Sequence, residues 1–131
     1  MYQYPVPFGE AIRRAFNNYC VFTGRASRSE YWWFVLFTAI VGWAIGIILG
    51  LPLGSDSFIY QGVSGLWGLF IFLPSLGLCF RRLHDTGRSG WNILWALLPF
   101  IGTIILIVYF CQNSQMSDNQ YGPVPNLRFT R

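Results

Sequence analysis

The sequence predicts an all-α integral membrane helical bundle, a single membrane domain over 1–131 with an N-terminal amphipathic interfacial helix followed by three transmembrane helices. Three observations carry that expectation. Residues 57–80 and 89–117 contain no Asp, Glu, Lys, Arg or His. The chain is 53% hydrophobic and 19% aromatic but only 11% charged, against the roughly 25% of soluble domains. The charges that remain gather at the ends of the apolar runs, most densely in Arg81-Arg82-Leu83-His84-Asp85-Thr86-Gly87-Arg88-Ser89-Gly90, which holds three arginines, the only histidine and an aspartate. A hydrocarbon core about 30 Å thick is crossed by about 20 helical residues rising roughly 1.5 Å each, so each run is long enough to span.

The first element follows Pro5 and Pro7. Over 8–20, Phe8, Ala11, Ile12, Ala15, Phe16 and Tyr19 recur at helical spacing, opposite Glu10, Arg13, Arg14, Asn17 and Asn18. That pattern fits a helix lying in the membrane interface or one docked on the bundle, since both bury the same stripe. The first thirty residues lack an uninterrupted apolar core of signal-peptide length, so the first crossing is expected to be an uncleaved anchor. A polar turn, Gly24 to Glu30, comes next, with Ser27 or Ser29 as candidate N-cap.

The first span is predicted over 31–51, opened by the aromatic anchor Tyr31, Trp32 and Trp33. Gly42, Gly46 and Gly50 fall every fourth residue within it, a helix-packing face that lets a neighbouring backbone approach closely. Pro52, Gly54, Ser55 and Asp56 make a short hairpin turn. The second and third spans are predicted over 58–80 and 91–111, joined by the charged decapeptide as a tight turn at the surface. Each holds a proline, Pro74 and Pro99, at similar depth below that turn. Either the two helices bend apart there, or neighbouring groups satisfy the carbonyls that proline leaves free. Residues 112–131 read as a polar tail.

Arginine counts set the expected orientation. Seven arginines (13, 14, 25, 28, 81, 82 and 88) flank one side, whereas the first hairpin has none and the tail has two (128 and 131). The positive-inside rule then puts the N-terminus and the decapeptide in the cytoplasm, and three crossings put the tail outside.

Three stretches carry a family resemblance: Gly24-Arg25-Ala26-Ser27-Arg28-Ser29-Glu30-Tyr31-Trp32, Arg81 through Trp91, and Asn119-Gln120-Tyr121-Gly122-Pro123-Val124-Pro125. With them the chain resembles, from about Phe8 to Pro125, the bacterial inner-membrane family known as domain of unknown function 805. The resemblance implies a small multi-pass protein of the bacterial cytoplasmic membrane, and it supplies no reaction and no catalytic residues.

Function classes can be weighed from the residues themselves. A net charge of +4 arises from nine basic and five acidic residues, but its placement at span ends fits helix orientation and lipid contact, so no nucleic-acid partner is expected. Cys20, Cys79 and Cys111 are scattered and only one histidine is present, so neither a metal site nor a cofactor is expected. His84 beside Asp85 raises the alternative of a membrane-embedded enzyme, because a neighbouring carboxylate can orient an imidazole. A transporter subunit is the other alternative, although the spans offer only Thr38, Gln61, Ser64, Ser75, Asn92 and Thr103 as polar side chains. The favoured expectation is no enzyme but an interaction protein. Arg25, Arg28, Glu30, Arg81, Arg82, His84, Asp85 and Arg88 would form a cytoplasmic cluster. Some of its charges would pair between loops, while free guanidiniums meet membrane lipids, anionic ones among them, a second copy or a partner membrane protein.

Overall fold

The computed structural model describes residues 2–128. It is all-helical apart from one short pairing of the chain ends. Helix α1 is Phe8–Asn17. Helix α2 runs Arg28–Leu53, passing through a wider π turn at Gly46–Gly50, and α3 runs Phe58–Asp85. A 3-10 helix, Gly90–Leu97, precedes α4, Ile101–Cys111. Strands β1 (Tyr2–Gln3) and β2 (Leu127–Arg128) pair antiparallel.

Local chemistry sets the starts of the long helices. Ser27 accepts from the Glu30 amide and Ser57 from the Tyr60 amide, so each hydroxyl fills an otherwise unpaired N–H of the first turn. Helix α2 accordingly begins at Arg28, three residues before the aromatic anchor. Gly54, at φ +88°, ends it and turns the chain into α3. Both α2 and α3 are long and apolar enough to cross a membrane.

Packing is concentrated at one end. Ala15, Ala26, Phe34 and Leu78 form one core cluster and Leu83, Leu106 and Phe110 a second. Helix α1 docks on α2 and α3 through aromatic edges: Phe16 meets Phe34 and Phe37, and stacks on Phe70. Toward the hairpin the apolar side chains are bare, with Trp43 at 68%, Leu51 at 79% and Phe58 at 90% exposure. Pro74 sits buried inside an unbroken α3. Its missing N–H leaves the Phe70 carbonyl free one turn earlier, and the Tyr19 hydroxyl donates to that oxygen.

The predicted third span, 91–111, is corrected. It is not one helix but two half-length pieces reversing at Leu98–Phe100. The Ile101 amide donates to the Pro99 carbonyl at 2.8 Å across Phe100, whose φ of 64° and ψ of −68° make a γ-turn. Eight 3-10 residues at about 2.0 Å and eleven α residues at about 1.5 Å each reach about 16 Å. That is half a hydrocarbon core, down and back. Gly102 permits the return, since a Cβ there would collide with the Trp95 carbonyl. The C-terminus of α4 therefore ends beside the end of α3, and β1 with β2 places both chain ends there too. Pro99 marks this reversal rather than a bend in a spanning helix.

Two smaller corrections follow. Arg81 to Asp85 are the last residues of α3, so only residues after Asp85 form the expected turn. The Gly42, Gly46, Gly50 face meets no neighbouring backbone: Tyr60 lies 3.2 Å from a Cβ built at Gly50 and 3.9 Å from one at Gly46, and nothing lies within 4 Å at Gly42. Arg131, counted in the expected tail, lies outside the described residues.

Candidate functional site

The charged residues at the packed end form a latch around Asp85. Arg82 and Asp85 are both 0% exposed. Arg82 Nη1 donates to Asp85 Oδ2 at 2.8 Å, and Arg25 Nε donates to Oδ1 at 3.0 Å. The Ser114 hydroxyl donates to Oδ2 as well.

Each guanidinium also gathers backbone carbonyls. Arg82 donates through Nε and Nη2 to the Phe110 carbonyl and through Nη2 to that of Gln112. These are carbonyls at the end of α4 that lack amide partners within the helix, where a cation is favoured. The Trp32 indole N–H and Arg28 add bonds to the carbonyls of Phe110 and Cys111. Arg25 reaches the other way, donating to the carbonyls of Gln115, Ser117, Gly122 and Asp85. The tail is thus tied to the start of α2 and the end of α3 by one side chain.

His84 and Asp85 do not act on each other. His84 Nδ1 lies 3.1 Å from the Gly24 carbonyl, so the N–H sits on Nδ1, and the ring stacks on Tyr121 with centroids 4.0 Å apart and planes 4° from parallel. Asn119 fixes the same turn by donating to the His84 carbonyl. Arg88 covers the Tyr109 ring at 3.9 Å and donates to Gln112 Oε1 at 2.6 Å.

A second group surrounds a polar cavity of about 460 Å³ between the end of α1, the 23–25 turn, the end of α3 and the tail. Arg14, Arg25, Arg81 and Glu30 line it. Glu30 accepts from Arg14 at 2.9 Å, and Arg14 also holds Glu10 and Asn126. Arg81, 5% exposed, donates from Nη1 to the carbonyls of Val21 and Asn18. The predicted cluster is therefore split. Arg25, Arg82 and Asp85 share the latch, His84 and Arg88 brace it, Glu30 and Arg81 face the cavity, and Arg28 is exposed.

Sequence reasoning missed Arg14, Ser114, Tyr121 and Asn126. Arg14 looked like one more residue on a polar helix face, and the tail side chains sit in a segment without periodicity. Only the Asn119 to Pro125 stretch carried a signal. Among the described residues no three His, Cys, Asp or Glu side chains converge closely enough to hold a metal ion.

Two long bare helices capped at one end by a buried charge network and a polar cavity define a small all-helical protein of membrane type. The chain belongs to the family described as Protein of unknown function (DUF805), whose model matches residues 19–123. It is 42% identical over 115 residues to Inner membrane protein YhaH of Escherichia coli, covering 87% of this chain and 94% of that one. It is 48% identical over 115 residues to Inner membrane protein YhaI of the same organism, covering 83% and 89%. A more distant relative, Uncharacterized protein YiiR of Escherichia coli, is 25% identical over 127 residues, covering 77% of this chain and 83% of that one. No solved structure matches.

Proposed function

We propose that the chain is a two-pass protein of the bacterial inner membrane, with both termini in the cytoplasm, that works by binding at its cytoplasmic cap. Helices α2 and α3 cross, and the 3-10 helix with α4 enters from the cytoplasmic side and returns. The observation that carries this reading is Arg82 holding the last carbonyls of α4 at the end of α3. A third crossing would put those groups a bilayer apart. The relatives named inner membrane proteins support the compartment. Orientation gains as well: Arg128 joins the seven other arginines on one side, leaving Asp56 as the lone described charge opposite.

Binding is favoured over turnover because the groups with catalytic potential are engaged. Both Asp85 oxygens are taken by guanidiniums and the His84 ring is stacked and bonded. Exposed Arg28 lines the rim of the apolar groove of Trp32, Trp33 and Leu36, where an anionic lipid headgroup and its chains would lie together, and half-buried Arg88 lies over Tyr109 at the end of α4.

The test combines topology with retention of lipid. In a background with Cys20, Cys79 and Cys111 replaced by serine, Asp56→Cys should react with an impermeant thiol reagent in intact cells and Asp118→Cys only after lysis. Labelling of both in intact cells would restore the third crossing. The purified Arg28→Ala, Arg88→Ala double variant should retain less phosphatidylglycerol than the parent; equal retention would refute the rim as a headgroup surface.

A further inference from the structure

We infer that the cavity beside Arg81 binds one singly charged phosphoryl group, a deepening that rests on reading the cap as a binding surface. The argument is one of charge and open donors. Of the three arginines lining the cavity, Arg14 is paired with Glu10 and Glu30, and Arg25 with Asp85. Arg81 has no carboxylate within 4.0 Å among the described residues, whose ion pairs all involve other arginines. It is nonetheless one of the most buried side chains of the protein, at 5% exposure. A buried guanidinium with no carboxylate in contact is costly, Glu30 in the same lining acts on it only from beyond 4.0 Å, and an anion in the cavity would offset the rest.

The geometry specifies the anion further. Both hydrogen bonds that Arg81 makes leave from Nη1, toward Val21 and Asn18 at the end of α1. Its Nε–H and one Nη2–H form the side-on edge of the guanidinium, which matches two oxygens of a phosphate or carboxylate. Among the described residues no buried side-chain nitrogen lacks a partner, so these donors keep accessible surface, and Arg81 belongs to the lining of the cavity. A tetrahedral group adds oxygens beyond the two that Arg81 takes, and the same lining carries the half-buried, positively charged Arg14, whereas Arg25 spends its donors on Asp85 and backbone carbonyls. Glu30, in the same wall, repels a second negative charge. One negative charge therefore fits best, as in a phosphodiester or dihydrogen phosphate. The volume of about 460 Å³ lies in the range of small-molecule sites.

The source is a lipid headgroup or a free phosphate, and two probes separate them. The purified protein in a phosphate-free detergent is titrated by calorimetry with dihexanoyl phosphatidylglycerol and with inorganic phosphate, with acetate as the comparison anion. Saturable binding of one equivalent is expected from at least one phosphoryl probe. If the lipid alone binds, the occupant is a headgroup; if inorganic phosphate binds as well, a free phosphorylated compound fills the site. Because Arg81→Gln removes the support of the α1 end, the deciding variants are at exposed Thr23 on the cavity wall. Thr23→Glu, which supplies a carboxylate in place of the ligand, should weaken binding by at least about tenfold, and Thr23→Gln by less than about twofold. Absence of saturation by both phosphoryl probes, equal binding of acetate, or indifference to Thr23→Glu would overturn the inference. A chain that labels as two-pass yet binds neither probe rejects this site and leaves the topology standing.

Discussion

Replacing Asp85 by asparagine should loosen the whole cap, because one carboxylate serves two buried guanidiniums. Its contacts to Arg82 and Arg25 are 2.8 Å and 3.0 Å, and none of the three side chains is more than 1% exposed. Taking three charges out of water offsets most of their mutual attraction, so the intact triad adds little net stability. Breaking it is a different matter. Asparagine keeps the shape but leaves two cations without a counter-charge and turns an N–H toward one of them. Removal of one partner of a buried pair costs about 3 to 5 kcal/mol, and two pairs sharing one acid place the loss near the upper end. The assay is denaturant titration in mixed micelles followed by fluorescence of the six tryptophans, with limited proteolysis alongside. A loss of about 5 kcal/mol is expected. Cleavage should also appear near Gln115 to Asp118, because the Arg25 donors holding the Gln115 and Ser117 carbonyls lose their anchor. A loss under about 1 kcal/mol, the scale of an exposed pair, with the tail still protected, would refute the latch.

Two further outcomes are expected. Gly102→Ala drives a methyl into the Trp95 carbonyl and should destabilise the re-entrant hairpin by about 1 to 3 kcal/mol; Gly42→Ala has open space and should be neutral or stabilising by up to about 1 kcal/mol in the same titration.

Much of the fold was legible before any coordinates. Charge-free runs, a capping serine at 27 or 29, and the amphipathic stripe over 8–20 are local or periodic signals. Helices α1, α2 and α3 follow from them within a few residues. The candidate site was legible only in part. Arg81 and Arg82 are adjacent in sequence, yet one turns to a cavity and the other is sealed inside the latch. Adjacent helical positions differ by about 100° around the axis, and which neighbour each meets depends on elements far along the chain. Arg14 and Ser114 are invisible as site residues for that reason, since their partners Glu30 and Asp85 lie 16 and 29 positions away.

Composition and hydropathy by themselves determined that this protein is helical, apolar along most of its length and charged at discrete points, because those properties depend on local residue type and period. They did not determine how often the chain crosses. Residues 91–111 have the length and greasiness of a span, and only the reversal at Pro99 and Phe100, with Gly102 against Trp95, breaks them into two short helices that fold back on each other. Direction of travel is a tertiary property. It is set by Arg82 finding the carbonyls of Phe110 and Gln112 and by the pairing of the two chain ends, contacts that hydrophobicity does not encode.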